Sequence, residues 1–348
     1  TRQMVEQGHK LKLNSTVLDK HCIGGVPNNR TTMIVVPIVT AAGLVMPKTS
    51  SRSISSPAGT ADVMEVLANV SLPADSLKKI VRKTKGFIAW GGGMNLAAAD
   101  DKLINVRHPL ALDPPEMVLA SVMAKKASVS ATHVLIDIPV GKTAKIKDAA
   151  AAKSMKRKFV KLGQTLGMKV KVMISDGSQP VGSGIGPVLE AIDVLKILKN
   201  GNGPADLKQK SVKMAGDLIE MAGQAEKGKG RVVAKEILES GRALEQMKRI
   251  IKLQGVNYDM EKLPLPKHSK DIKAGRTGKI ASIDNFNIEK IARVAGAPED
   301  IFAGMYLYKK AGDYVKQGEK IMTLYSQSSE RLSFAYDIYN KSGCFSFD

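Results

Sequence analysis

Residues 49–62 read TSSRSISSPAGTAD, five serines and two threonines around one arginine. So many hydroxyls beside a cation either form a solvated polar linker or converge as donors on an oxyanion. Two more stretches share this character: KHCIGGVPNNRTT at 20–32 and WGGG at 90–93. Holding a phosphate takes several donors at short range, often backbone N–H groups at a helix start, with a cation nearby. Lys20 can be that cation, Gly24 and Gly25 permit close backbone approach, and Thr32, Ser50 and Thr60 offer hydroxyls. The bland alternative is three ordinary polar loops whose Gly and Ser serve turn geometry. No P-loop is present, because neither GxxxxGKS nor GxxxxGKT occurs. GSGIGP at 182–187 is only loosely like a dinucleotide fingerprint: the acid of MISDG comes too early and the last position is Pro.

The elements that must position these loops follow an alternating pattern. LNSTVLDKH, LVMPKTS, FIAWGGG (87–93), THVLIDIPVG (132–141) and MKVKVMISDG (168–177) read as strands, several with the unbroken apolar character of parallel sheets. Between them, TTMIVVPIVTAAG (31–43), GTADVMEVLANV (59–70), SLPADSLKKIVRKTKG, DPPEMVLASVMAKKASVS (113–130) and AAAKSMKRKFVKLGQTLG read as helices. Residues 182–198 start as a glycine-rich loop that leads into a helix, and 205–223 and 227–254 are mostly helical. Each chemistry-bearing stretch falls at or just after the C-terminal end of a strand, where open α/β sheets bind ligands. The Pro- and Lys-rich KLPLPKHSKD at 262–271 marks a domain boundary. Beyond it, IKAGRTGKIASIDN, MYLYKKAGDYVKQGEKIMTLYS and ERLSFAYDIYN read as strands and hairpins around one short helix at NIEKIARVAG.

Composition narrows the function classes. The 348 residues are 43% hydrophobic but only 4% aromatic, which suits tightly packed helix–sheet layers over an aromatic-rich recognition surface. The formal net charge of +20 steers anions toward the protein. The lysines are spread without aromatic interleaving or zinc-finger spacing, so the expected anion is a small phosphorylated molecule or free phosphate and not a nucleic acid. Two cysteines make no disulfide framework, five histidines form no metal-ligand spacing, and no apolar run is long enough to span a bilayer. A cytoplasmic protein without metal or organic cofactor is expected. The chain starts at TRQMVEQGHK, within what reads as an amphipathic helix, so further N-terminal sequence is expected.

The combined motifs resemble the signature region of the thymidine and pyrimidine-nucleoside phosphorylases. The run K-H-x-x-G-G-V begins at Lys20, and P-x-x-S-x-R followed by G-T-x-D spans Pro47 to Asp62. KTSSRSISSPAGTADVMEV is more similar still to the branch that holds archaeal AMP phosphorylase and bacterial relatives named for thymidine phosphorylase. LAAADD (96–101), DPPEMVLASVMAKK and IDIPVGKTAK (136–145) extend the resemblance over essentially the whole chain. It implies an α/β fold with a mixed or parallel central sheet flanked by helices. It also implies three units: a small helical domain from residues 1–18 and 98–130, an α/β phosphate-binding domain from 19–97 and 131–260, and a C-terminal α+β hairpin-rich domain from 265–348.

The activity implied by the resemblance is phosphorolysis. Inorganic phosphate, a co-substrate, attacks C1′ and displaces the base as a sugar 1-phosphate forms. Thymidine phosphorylase is the family-level expectation, with AMP phosphorylase a close alternative and a non-catalytic phosphate- or nucleotide-binding module a third. By resemblance, Lys20, Thr32, Ser50 and Thr60 are the phosphate ligands, with Cys22 where the family has a serine. Gly25, Ser51, Arg52, Ser53, Ile54, Ser55, Ser56, Thr60, Ser121 and Lys145 match substrate-contact positions, and Asp113 matches the proton donor. Ser121 and Lys125 lie four apart on one helix face and match groups that address pyrimidine carbonyls. Taken alone, Lys125 and Lys126 read as a solvated helix end, and Asp113 as a helix cap. The pyrimidine-gripping arginine is not matched: Val106 stands at that spacing with Arg107 beside it, and His108 replaces the closer branch's arginine. The implied partners are small molecules, with no nucleic acid or membrane, and the implied assembly is a homodimer or larger.

Overall fold

Short, apolar strand segments separated by helices build a parallel sheet. The computed structural model describes residue 11 and residues 13–53, 56–92 and 115–348. Strand β1 (Leu18–Cys22) pairs in parallel with β4 (His133–Val140), which pairs in parallel with β5 (Lys169–Asp176). On the other side, β2 (Met46–Ser50) pairs in parallel with β3 (Gly86–Trp90). A parallel bridge between Val17 and Val45, with Leu18 N–H donating to the Val45 carbonyl at 2.8 Å, joins β1 to β2. The strand order is therefore 3-2-1-4-5, and the side on which successive strands are added reverses between β1 and β4. Such a switch leaves a crevice beyond the strand C-termini.

Two apolar layers cover the sheet. Alternation along β4 sends Val134, Ile136 and Ile138 into one core, while Leu135 packs in the other with Asp137 beside it on the same face. The first core includes helices α3 (Ala74–Thr84), α4 (Pro115–Ser128) and α5 (Ala149–Thr165), through Leu77, Leu119 and Phe159. The opposite core holds α1 (Thr32–Ala41), α2 (Thr60–Leu67), α6 (Pro187–Asn200), α7 (Ala205–Met221), α8 (Gly230–Glu239) and α9 (Arg242–Gln254). Helix α1 carries the valine-rich run and is buried from Thr32 to Thr40, as an all-round apolar helix must be. Residues 182–198 include a two-residue strand, β6 (Gly184–Ile185), before α6; the strand was not anticipated.

The C-terminal segments form two antiparallel sheets over a third core. One has the order β6-β9-β11-β7, with β7 at His268–Lys273, β9 at Gly304–Leu307 and β11 at Lys320–Ser326. The other has the order β10-β8-β12, with β8 at Gly278–Ile283, β10 at Tyr314–Val315 and β12 at Phe345–Phe347. Helices α10 (Asn285–Val294) and α11 (Ser329–Ser342) pack with them. ERLSFAYDIYN, read as strand for its Phe, Tyr and Ile, is instead the body of α11. Ser328 caps that helix by accepting the Arg331 N–H, and Leu332 and Ala335 bury one face at helical spacing. Strand β6 pairs with β9, so residues preceding α6 complete a C-terminal sheet.

The middle of edge strand β3 is covered by a glutamine side chain. Gln254, at the end of α9, accepts the Ile88 N–H at 3.0 Å and donates to the Ile88 and Asn69 carbonyls at 2.9 Å. Gln254→Ala strands those buried groups and should cost about 2–3 kcal/mol in urea unfolding. A loss below about 0.5 kcal/mol would show that water satisfies this edge equally well.

Candidate active site

Two of the three predicted phosphate stretches, 20–32 and 49–62, meet in one cleft of about 590 Å³ beyond the C-terminal ends of β1, β2 and β4, whereas the described residues of WGGG (90–92) are not on its lining. Its lining includes Lys20, Gly24, Gly25, Thr32, Ser50, Ser51, Arg52, Ser53, Ser56, Thr60 and Lys145. Thr32 and Thr60 are the first residues of α1 and α2, so two helix N-termini open onto it, which is favourable ground for an anion. Asp113, Ile54 and Ser55 lie outside the described residues, as do LAAADD, Arg107 and His108. Ser121 and Lys125 sit on α4; neither is part of the cleft wall formed by the described residues.

The hydroxyl loop is folded back on itself by a carboxylate. Asp62, in the first turn of α2, accepts the N–H groups of both Ser53 (2.7 Å) and Gly59 (2.8 Å) on one oxygen. A Cβ at Gly59 would lie 2.6 Å from the Ser53 nitrogen, so the loop closes this tightly only with glycine there. Arg52 forms a two-pronged pair with Glu65, one arm at 2.6 Å, and lies 5.0 Å over the Trp90 ring. Its guanidinium braces the loop from the cleft wall while remaining on the lining.

Beneath the loops lies a buried charge cluster that the motifs did not reveal. Lys20 is 1% exposed, and its ammonium donates to the Thr31 hydroxyl. Lys126 reaches Asp19 at 2.7 Å, and Lys48 lies 3.9 Å from the same carboxylate. Lys126 is thus wholly buried, correcting its reading as a solvated helix end: the helix carries it inward to meet Asp19 on β1. Burial lowers Lys20 to about 8, with Lys210 and Arg30 acting in the same sense and Cys22 and Asp137 opposing. Lys48 is driven well below the usual lysine range by burial and by Lys126. His21, also on the cleft, is held neutral by burial and the surrounding lysines.

A second network fixes the β1 loop. Asp137 takes Lys210 at 2.8 Å, Ser175 at 2.5 Å, and Cys22 and Asn29 at 3.2 Å each. Burial alone would raise Asp137, but these partners bring it below the usual carboxylate range. Cys22 therefore donates its proton inward; burial and Asp137 push the thiol up and keep it protonated. Arg30 pairs with buried Glu190 and also reaches the Thr60 hydroxyl (3.0 Å) and the Ala58 carbonyl (2.8 Å). Burial raises Glu190 to about 7 despite Arg30, and does the same to Glu289, which α10 contributes to the cleft. Arg30, Lys48, Asp137, Glu190 and Glu289 were not anticipated. NNRTT held Arg30 in view, but pairing with a residue 160 positions away leaves no local signal.

Known proteins share this fold. Solved structures of anthranilate phosphoribosyltransferase share the architecture: the Thermus thermophilus enzyme has a TM-score of 0.61 at 18% identity, covering 73% of this chain and 82% of that one. The Saccharomyces cerevisiae enzyme has a TM-score of 0.54 at 13% identity, covering 72% of this chain and 77% of that one. At such identities the likeness establishes the fold alone. Residues 14–244 match the model described as glycosyl transferase family, a/b domain, which makes the protein a glycosyl transferase-type α/β chain. Residues 279–342 match the pyrimidine nucleoside phosphorylase C-terminal domain.

The relatives narrow this class. AMP phosphorylase of Pyrococcus furiosus is 48% identical over 96% of this chain and 67% of its own length. A protein of Acidovorax sp. (strain JS42) named for thymidine phosphorylase is 46% identical, over 96% of this chain and 65% of its own. The chain belongs to the thymidine and AMP phosphorylase branch of that family. It spans about two thirds of the length of these curated relatives. Among the described residues no cluster of three or more His, Cys, Asp or Glu could hold a metal, and no helix is long and apolar enough to cross a membrane.

Two outcomes follow from the geometry. Gly25 has φ +83°, and a Cβ there would meet the Lys145 nitrogen at 2.5 Å. Gly25→Ala should therefore displace the Lys145 loop and cost about 1–3 kcal/mol in urea unfolding, a wild-type stability counting against the contact. Lys20 loses its charge as pH rises through about 8, so phosphate affinity should be full below that value and fall above it. Lys20→Met should abolish that pH dependence; an unchanged profile would exclude Lys20 as its source.

Proposed function

We propose that the chain carries the catalytic cleft of a nucleoside 5′-monophosphate phosphorylase, taking AMP or a similar nucleotide and inorganic phosphate to free base and ribose 1,5-bisphosphate. The observation that carries this reading is that Lys145 lines the same cleft as Lys20, Thr32, Ser50 and Thr60. A nucleoside has no 5′-phosphate to occupy a second cation. A nucleotide has one, and the loop after β4 brings Lys145 against Gly25 at the cleft wall.

In this reading Lys20, Thr32, Ser50 and Thr60 hold inorganic phosphate with the N-termini of α1 and α2. One phosphate oxygen forms a bond to C1′ as the C1′–N bond breaks, and the electron pair leaves with the base. The bound anion offsets positive charge developing at the sugar. The base takes up a proton, assigned to Asp113, which must hold that proton near neutral pH. Gly25, the 51–56 loop including Ile54 and Ser55, and Lys145 take the 5′-phosphate and ribose, while Ser121 and Lys125 address the base. The proposed small helical domain, residues 1–18 and 98–130, would bring Asp113, Ser121 and Lys125 to the cleft.

Phosphorolysis of thymidine or another nucleoside is the second reading, favoured by the bacterial relative named for that activity. Base release from AMP, adenosine, thymidine and uridine, each with and without phosphate, separates the two. AMP should be split only with phosphate, and Lys145→Ala should lower kcat/KM for AMP by at least about tenfold while sparing nucleosides. Efficient thymidine cleavage, with Lys145→Ala neutral, would favour the nucleoside reading. No release from any substrate would leave a binding module.

A further inference from the structure

The C-terminal unit reaches into the cleft through the first turns of α10. Phe286 and Glu289 line it, and Asn285 precedes them as a fully buried residue. Asp284 caps α10 by accepting the Phe286 N–H at 2.8 Å and the Asn287 N–H at 3.1 Å, which fixes the direction in which the helix starts. From that start, the Asn285 backbone N–H and side-chain amide each donate to the Thr143 hydroxyl at 3.2 Å. The same amide donates to the Gly177 carbonyl at 3.0 Å, at the end of β5.

Thr143 belongs to the turn that carries Lys145. That turn is closed locally: Ala144 N–H donates to Gly141 at 3.0 Å, Gly141 N–H to Ile146 at 3.1 Å, and Gly177 N–H to Val140 at 2.9 Å. The local bonds set its shape, and Asn285 ties it across to the C-terminal unit. Side chains with fixed partners of this kind hold functional groups to the tolerance that catalysis needs.

We propose that Asn285 is a positioning residue for the Lys145 turn, and that the C-terminal unit thereby sets the preference for a 5′-phosphorylated substrate over a nucleoside. This rests on the nucleotide reading of Lys145 given above. Asn285 touches no substrate; it acts through Thr143 and the turn.

The experiment compares wild type, Lys145→Ala, Asn285→Ala, Thr143→Val and the Asn285→Ala/Lys145→Ala double variant. Calorimetry gives the affinity for AMP and for inorganic phosphate, and initial rates give kcat and KM for AMP. Asn285→Ala should raise KM and Kd for AMP about five- to tenfold, with kcat and phosphate affinity within about twofold of wild type. Thr143→Val removes the shared acceptor from the other side and should produce the same split, which covers the case in which Asn285→Ala does not fold. In the Lys145→Ala background, Asn285→Ala should add nothing for AMP. Lys310→Ala breaks a different attachment of the C-terminal unit, to the Pro180 carbonyl and Asp206, and should leave KM for AMP unchanged. If Lys145→Ala weakens AMP while Asn285→Ala and Thr143→Val do not, this inference fails and the function stands. Equal losses for AMP and phosphate, or the same effect from Lys310→Ala, also overturn it as mere loosening. If Lys145→Ala itself leaves AMP affinity intact, the nucleotide reading fails and takes this inference with it.

Discussion

Three buried lysines, two of them at the Asp19 carboxylate and the third, Lys20, on the other face of β1, are the constraint on which the cleft depends. Lys20, Lys48 and Lys126 are each less than 5% exposed, and Asp19, which faces Lys48 and Lys126, is fully buried. Desolvating an ammonium without a partner is costly enough that such groups lose protons or acquire counter-charges. Lys126 has Asp19 at hydrogen-bond distance, whereas Lys48 is more distant from it and shifts strongly downward. Lys20 meets a neutral hydroxyl at its ammonium, yet keeps its charge at neutral pH. An anion on the cleft side would supply a direct counter-charge, which is the physical ground for the phosphate role proposed for Lys20.

The fold delivers this arrangement through the reversal of strand order between β1 and β4. Lys20 and Cys22 come from the end of β1, Asp137 and the Lys145 turn from β4, Lys48 and Ser50 from β2, and Lys210 from α7. Parallel strands send all their C-termini to one edge, so residues more than a hundred positions apart become neighbours there. The C-terminal unit completes the wall with α10 rather than standing apart from the chemistry. Its Glu289 and the Arg30-bound Glu190 place carboxylates near neutrality on the same cleft.

Much of this was legible in the chain itself. Glycine and hydroxyl spacing marked the two loops at 20–32 and 49–62 but also WGGG, which the cleft lining does not include, and apolar runs marked the parallel strands, because both signals depend on local chemistry and period. Arg30–Glu190, Asp137–Lys210 and Asp19–Lys126 were not visible, since each pairs residues that only the sheet brings together. Lys126 misled for the same reason: beside Lys125 it looks like a solvated helix end until the partner on β1 is known. In ERLSFAYDIYN, aromatic and β-branched residues suggested strand, and burial of Leu332 and Ala335 on one helical face overrode that preference.

Thermal unfolding in matched salt tests the central claim most directly, with phosphate, sulfate or chloride added at equal ionic strength. If the buried lysines await a bound anion, millimolar phosphate should raise Tm by several degrees beyond chloride, saturably, and Lys20→Met should lose that increment. Equal shifts from phosphate and chloride, with Lys20→Met indistinguishable from wild type, would contradict the account: the lysines would then be a structural cluster with no anion to hold.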